Sequence, residues 1–370
     1  MTVEQLEIQL IGVVVAAACA LPGVFLVLRR MAMMSDAISH AILPGIVLAF
    51  FLTEDLNSPL LILGAALMGI LTVFLVESIL RTRLLKEDAA IGLVFPILFS
   101  IGVVLIAKFA AHVHLDTDAV LLGELAFAPF DRLMIFGSDV GPKALWMMGA
   151  ILLLNAIFIA TWYKELKLST FDAGLAAALG FLPGTMHYVL MTLVSVTAVG
   201  AFDAVGSILV VALMIGPPAA AYLLTDRLAS MIGLSVAIGA LGALLGYWMA
   251  FVLDASIAGS MASMVGILFA LVLVLAPQRG VISVLRRRLR QRWTFAEKML
   301  TIHLQQHEGL PEEARENRAA HLQEHLGWAP EFAGRVVRLA ERDGLVRRRR
   351  EFLMLTDAGR ALASEAIVQN

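Results

Sequence analysis

A single cysteine, Cys19, occurs in 370 residues. One thiol supports neither an internal disulfide framework nor a thiolate metal cluster. Charge is also scarce, at 16% of residues, where soluble domains average about 25%. With 60% hydrophobic residues, that shortage excludes an ordinary soluble domain and fits a chain that crosses a bilayer many times. There is no Gly-rich loop ending in Gly-Lys-Ser or Gly-Lys-Thr, so the chain has no phosphate cradle with which to bind ATP by itself. No Ser/His/Asp arrangement with a soluble pocket is legible, and enzymatic chemistry is not expected. The first apolar run has no basic region ahead of it and no small-residue cleavage site after it. It reads as a retained helix rather than a signal peptide.

What the sequence does have is apolar runs long enough for about 30 Å of hydrocarbon. They fall at 8–28, 38–52, 60–80, 89–107, 144–163, 188–202, 206–224, 228–253 and 259–276. The second is short and is expected to reach back to Met33. The sixth and seventh are separated only by Asp203-Ala204-Val205, as in a tight hairpin or a re-entrant pair. Basic residues favour the cytoplasmic side. Arg29-Arg30, Arg81 with Arg83 and Lys86, Lys164 with Lys167, Arg227, and Arg279 with Arg286-Arg287-Arg288 follow every second run. Nine spans keep this alternation intact and eight do not. The expectation is an all-α polytopic bundle of the plasma (inner) membrane, N-terminus outside and C-terminus in the cytoplasm.

Charge is thickest after Gln278. Three segments are expected: a membrane domain at 1–281, a basic juxtamembrane linker at 282–294 and a small cytoplasmic α+β domain at 295–370. The linker is amphipathic and suited to an anionic leaflet. In the tail, 295–307, 315–326 and 330–343 read as helices. A β-hairpin follows at 345–348 and 351–355, then a helix at 357–367 capped by Thr356. That order resembles winged-helix domains, and Leu355-Thr-Asp-Ala-Gly-Arg360 is similar to their hairpin-to-helix junction.

Polar residues inside apolar runs are the candidates for chemistry. Residues 35–45 read Ser-Asp-Ala-Ile-Ser-His-Ala-Ile-Leu-Pro-Gly. Asp36 and His40, at i and i+4, share a helix face. A carboxylate and an imidazole suit Mn²⁺, Fe²⁺ or Zn²⁺; a buried hydrogen bond that only locks helices is the competing reading. His40 lies ten residues past Arg30, or about 15 Å of helix. Pro44 lacks an N–H and leaves the His40 carbonyl without its helical donor, and Gly45 follows it as a second helix breaker. Elsewhere, His112, His114, Asp116 and Asp118 alternate in an outer loop, where they could collect cations or meet a partner. Asp203 ends the sixth run, with a path role as one reading. Glu77 and Arg81 read as an ordinary i,i+4 pair. Pro217-Pro218 must distort the seventh span. On the inner side, 168–184 contains a short amphipathic helix with Thr170 or Asp172 as cap, Leu175 and Leu179 on one face and Gly180 at its end. Such a helix can dock in a partner's groove.

Three stretches together carry a family resemblance. They are Gly23-Val-Phe-Leu-Val-Leu-Arg-Arg-Met continuing into the 35–45 motif, Phe171-Asp-Ala-Gly-Leu-Ala-Ala-Ala-Leu-Gly180, and Ala204-Val-Gly-Ser-Ile-Leu-Val-Val-Ala-Leu-Met-Ile-Gly-Pro-Pro218. Residues 11–281 resemble the ABC-3 family, the membrane permeases of zinc, manganese and iron ABC importers. The resemblance implies a second permease subunit, a cytoplasmic ABC ATPase through which ATP acts, and an extracytoplasmic metal-binding protein. It implies no permanently bound cofactor; the divalent metal is substrate, with manganese favoured. It makes Phe171–Gly180, including Asp172, Leu175 and Leu179, the coupling helix, and it places Asp36 and His40 on the metal path. Asp203 departs from the neutral polar residue, often Gln, expected at its position. The tail departs too, and it motivates an alternative: a membrane-anchored, metal-responsive transcription regulator. Arg335, Arg338, Arg342 and Arg347–Arg350 could neutralise nucleic-acid phosphates, although Glu331, Glu341, Asp343 and Glu351 lie among them and disfavour that role.

Overall fold

A computed structural model describes residues 2–54, 58–109, 125–135, 138–311, 313–318, 322 and 326–368. The chain divides into two compact units, Met1–Gly280 and Val281–Asn370.

Nine helical spans in the first unit are long and apolar enough to cross a membrane, counted among the described residues. The elements are α1 Val3–Leu28, α2 Ala32–Ala41, α3 Leu43–Thr53, α4 Pro59–Arg81, α5 Glu87–Phe109, the hairpin β1 Arg132–Ile135 with β2 Ser138–Pro142, α6 Lys143–Thr161, α7 Tyr163–Phe171, α8 Ala173–Ala178, α9 Pro183–Val205, α10 Ser207–Leu224, α11 Leu228–Leu253 and α12 Ile257–Leu275. The span from Ala32 to Thr53 is broken, with α2 giving way to α3 at Ile42. It begins one residue before the expected Met33. The join between the sixth and seventh spans is tighter than expected. Helix α9 runs through Asp203 to Val205, and the only residue before α10 is Gly206, at φ +79°. A side chain there would be strained.

Helix α1 is the hub, packed against α6, α9, α10 and α11 and buried from Ala16 to Leu26. Pro22 lies inside it. A proline cannot donate to the carbonyl four residues earlier, so Ala18 loses its helical partner. Asn155 on α6 supplies the missing donor: its Nδ2 gives hydrogen bonds to the Ala18 carbonyl at 3.1 Å and to Thr197 Oγ1 on α9 at 2.8 Å. One buried amide thus joins three helices, as polar groups in hydrocarbon must find partners. Pro217 and Pro218 are buried inside α10. Pro218 frees the Met214 carbonyl in the same way, and that oxygen faces Gly23, where a Cβ would stand only 2.0 Å from it. The double proline therefore sits at a close crossing of α1 and α10.

The second unit contains α13 Val281–His307, α14 Glu313–Glu316, α15 Pro330–Arg342, β3 Val346–Arg349, β4 Phe352–Leu355 and α16 Asp357–Val368. It is a small α+β region. The basic stretch 282–294 is not a separate linker here, because it forms the first half of the 27-residue α13. Its amphipathic period continues without a breaker into Leu300 and Leu304, which are core residues. The helix expected at 315–326 lies largely outside the described residues. The hairpin is antiparallel with Val346 opposite Leu355 and Arg349 opposite Phe352. Thr356 caps α16, accepting from the Gly359 amide at 3.1 Å. Ala333, Val336, Val337 and Ala340 of α15 pack with Leu353 and Leu355 of β4 in a core of their own.

Candidate functional site

Helix α2 is short because its sequence ends it. Pro44 has no N–H for the His40 carbonyl, and the ladder restarts with the Gly45 and Ile46 amides both donating to the Ile42 carbonyl, at 2.9 and 3.1 Å. Gly45 has a further reason to be glycine: a Cβ there would lie 2.3 Å from the Gly64 carbonyl oxygen on α4. The break is thus clamped against a neighbour by backbone contact.

Helix α2 packs against α1, α4, α5, α9 and α10. Met34, Ser35, Ala37, Ile38, Ser39 and Ala41 are buried. Ser35 and Ser39 satisfy their hydroxyls within the helix, donating to the carbonyls of Ala32 and Ser35. Asp36 and His40 occupy the remaining face. Asp36 Oδ1 lies 3.4 Å from His40 Nε2, and the two side chains are 35% and 31% exposed. The imidazole rests near Phe95 and Phe99 of α5, at ring-centroid distances of 6.1 and 6.3 Å. So the pair is held on an ordered helix, covered by aromatic rings on one side and open on the other. His40 lies eight residues, or about 12 Å, along the helix from Ala32. That is shallower than the ten residues counted from Arg30, because Arg29–Met31 form a turn with Arg30 at φ +64°.

The arrangement offers one carboxylate and one imidazole. Among the described residues no group of three or more His, Cys, Asp or Glu side chains converges. Two donors ligate a divalent ion weakly, which suits passage better than storage. His112, His114, Asp116 and Asp118 lie outside the described residues. Asp203 is in the last turn of α9, and its side chain is also outside them.

The 168–184 segment holds the end of one short helix and the whole of a second. Phe171 ends α7, and Asp172 caps α8, its Oδ1 accepting from the Leu175 amide at 2.8 Å. Thr170 has a different partner, Arg29. Gly180 follows at φ +86°. Phe171, Leu175 and Leu179 are exposed at 62%, 48% and 61% among the described residues.

Sequence reasoning missed the polar cluster beside this segment. Arg29 reaches Ser169, Thr170 and His187, and His187 meets Glu77. Glu77 was expected to pair with Arg81, which lies 3.8 Å away and is 72% exposed. Its closer partner is His187 on α9. The signal available was five polar residues scattered over 158 positions; only the fold brings them together.

Residues 5–276 match the model of the ABC 3 transport family. The chain is 48% identical over 361 residues to the zinc transport system membrane protein TroD of Treponema pallidum, covering 97% of each. It is 49% identical over 272 residues to the manganese transport system membrane protein MntD of Bacillus subtilis, covering 74% of this chain and 92% of that protein. Among solved structures it is similar to PsaBC from Streptococcus pneumoniae in complex with Fab, with TM-score 0.63, 29% identity, and coverage of 75% of this chain and 94% of the other.

Proposed function

The chain belongs to the ABC 3 transport family, and from that premise we propose that it is the permease subunit of an ATP-driven importer of divalent metal ions. The observation that carries this reading is the Asp36–His40 pair, 3.4 Å apart on a broken helix within a membrane span. Metal enters from an extracytoplasmic binding protein, passes the pair, and leaves to the cytoplasm. Carboxylate and imidazole accept manganese, zinc or iron with little geometric selection. Manganese is the first candidate; the relatives include both manganese and zinc systems.

Several features support the expected partners. The side chains of Asp36 and His40 are about one-third exposed in the single chain, so a second permease subunit could complete the path and double the donors. The Phe171, Leu175 and Leu179 patch suits a groove in a cytoplasmic ATPase. The alternating basic residues support a cytoplasmic position for this segment and the tail. The tail is proposed as a winged-helix-like regulatory unit, and a DNA-binding role for its exposed Arg335, Arg338, Arg342 and Arg347–Arg350 is the weaker alternative.

The test is reconstitution in liposomes with a cytoplasmic ABC ATPase and an extracytoplasmic metal-binding protein. Metal uptake that requires ATP, and that survives truncation after Gly280, supports the permease. Uptake without the ATPase would point to an ion-coupled carrier. Loss of uptake control together with salt-sensitive DNA binding by residues 281–370 would favour the regulator.

A further inference from the structure

Arg29 follows the last residue of α1, and its guanidinium is spread over two other elements. Nε donates to Thr170 Oγ1 at 3.2 Å and Nη2 to Ser169 Oγ at 3.1 Å. Both acceptors lie in the last turn of α7, just before Asp172 caps α8. Nη1 lies 3.0 Å from His187 Nδ1, near the start of α9. On the far side of the ring, His187 Nε2 contacts Glu77 Oε1 of α4. Arg29 is 140 to 158 positions from its three partners. The His187 and Glu77 side chains are only 16% and 17% exposed.

Arginine only donates, so His187 accepts at Nδ1 and carries its proton on Nε2, the ring atom that contacts Glu77. Arg81 and Tyr188 close the far end: Arg81 Nη2 lies 3.8 Å from Glu77 and donates to the Tyr188 hydroxyl at 3.1 Å. Helix α4, which carries Glu77, packs against α2, which carries Asp36 and His40.

We propose that Arg29, His187 and Glu77 form a latch that transmits movement of the 171–180 segment to α4 and so to the Asp36–His40 helix. These are positioning residues: none of them touches the metal, and the proposal rests on the permease reading. A push on α8 displaces Ser169 and Thr170, and through Arg29 it pulls on α1 and α9 together. Because the chain is polar and largely covered, breaking one link strands a buried partner, which makes two discrete arrangements more favourable than a gradual slide.

The readout is ATP hydrolysed per metal ion imported by the full transporter in liposomes. Leucine at position 187 can neither accept nor donate, so H187L should raise that ratio about tenfold or more. Glutamine can do both, with Oε1 toward Arg29 and its amide nitrogen toward Glu77. H187Q should therefore stay within about threefold of the unaltered protein. If H187L fails to assemble, S169A/T170V removes two of the three acceptors of Arg29, those on α7, with almost no change in volume and should uncouple likewise. The latch is overturned if H187L or the double variant keeps a normal ratio, or if H187Q is as impaired as H187L. No ATP-dependent uptake by the unaltered complex would instead overturn the permease reading itself.

Discussion

Asn155 donates a hydrogen bond to the carbonyl of Ala18, the one carbonyl in α1 that Pro22 leaves without a helical donor. The amide is 1% exposed. Asn155→Leu should destabilise the membrane unit by about 1–3 kcal/mol, the usual cost of stranding a buried polar group. Pro22→Ala restores the backbone donor, so the double variant should recover part of that loss. Thermal unfolding of the detergent-solubilised protein measures both. If the leucine variant cost the same with or without Pro22, the two residues would not be coupled.

The crossing of α3 and α4 leaves no room for a side chain. A Cβ at Gly45 would lie 2.3 Å from the Gly64 oxygen, and one at Gly64 would lie 2.5 Å from the Gly45 oxygen. Gly45→Ala should cost about 1–3 kcal/mol by overpacking, while Gly92→Ala, with open space around it, should cost nothing by that mechanism. Equal melting temperatures for the two variants would contradict the close crossing.

Asp172 holds the first turn of α8 through the Leu175 amide. Asp172→Ala should cost about 1 kcal/mol of local helix stability, and Asp172→Asn much less. If the segment docks on an ATPase, the alanine variant should also bind that partner more weakly than the asparagine variant. Binding of the purified ATPase to the permease in detergent would show it; identical binding by both would separate the cap from the docking role.

In the tail, hydrogen bonds from the Arg360 guanidinium, at 2.8–3.1 Å, hold the Glu308 carboxyl below the usual carboxylate range. A carboxylate lowered on folding adds stability above its unfolded value of about 4.3, and that stability is lost as pH falls through the lowered folded value. The pair is on the surface, so the effect is small. Residues 281–370 with Glu308→Gln should melt lower than the unaltered tail at pH 7, and the gap should close at acid pH. A gap that persists in acid would assign the effect to something other than ionisation.

Much of the fold was legible in the sequence because hydrocarbon imposes a simple rule: every span needs a long apolar run. The nine spans, the tail hairpin and the Thr356 cap all followed from period and local chemistry. Gly206 was harder, since whether Asp203 to Val205 would be loop or helix depends on packing. The α13 continuity was missed because a composition change from basic to mixed looks like a boundary although nothing breaks the helix. For the candidate site, Asp36 and His40 are adjacent on one helix and so visible as a pattern. Arg29, Glu77 and His187 are not, because their pairing exists only once α1, α4, α7 and α9 are assembled. Arg29 in particular was read as a topology signal, when its guanidinium also has three tertiary partners.

The central claim is that metal passes Asp36 and His40. Its most direct test is uptake of radioactive manganese and zinc by the reconstituted transporter carrying Asp36→Ala or His40→Ala. Loss of one of the two donors that each subunit offers should cut the initial rate by about tenfold or more for each variant, with the complex still assembled and hydrolysing ATP. Normal uptake of both metals by both variants would contradict it.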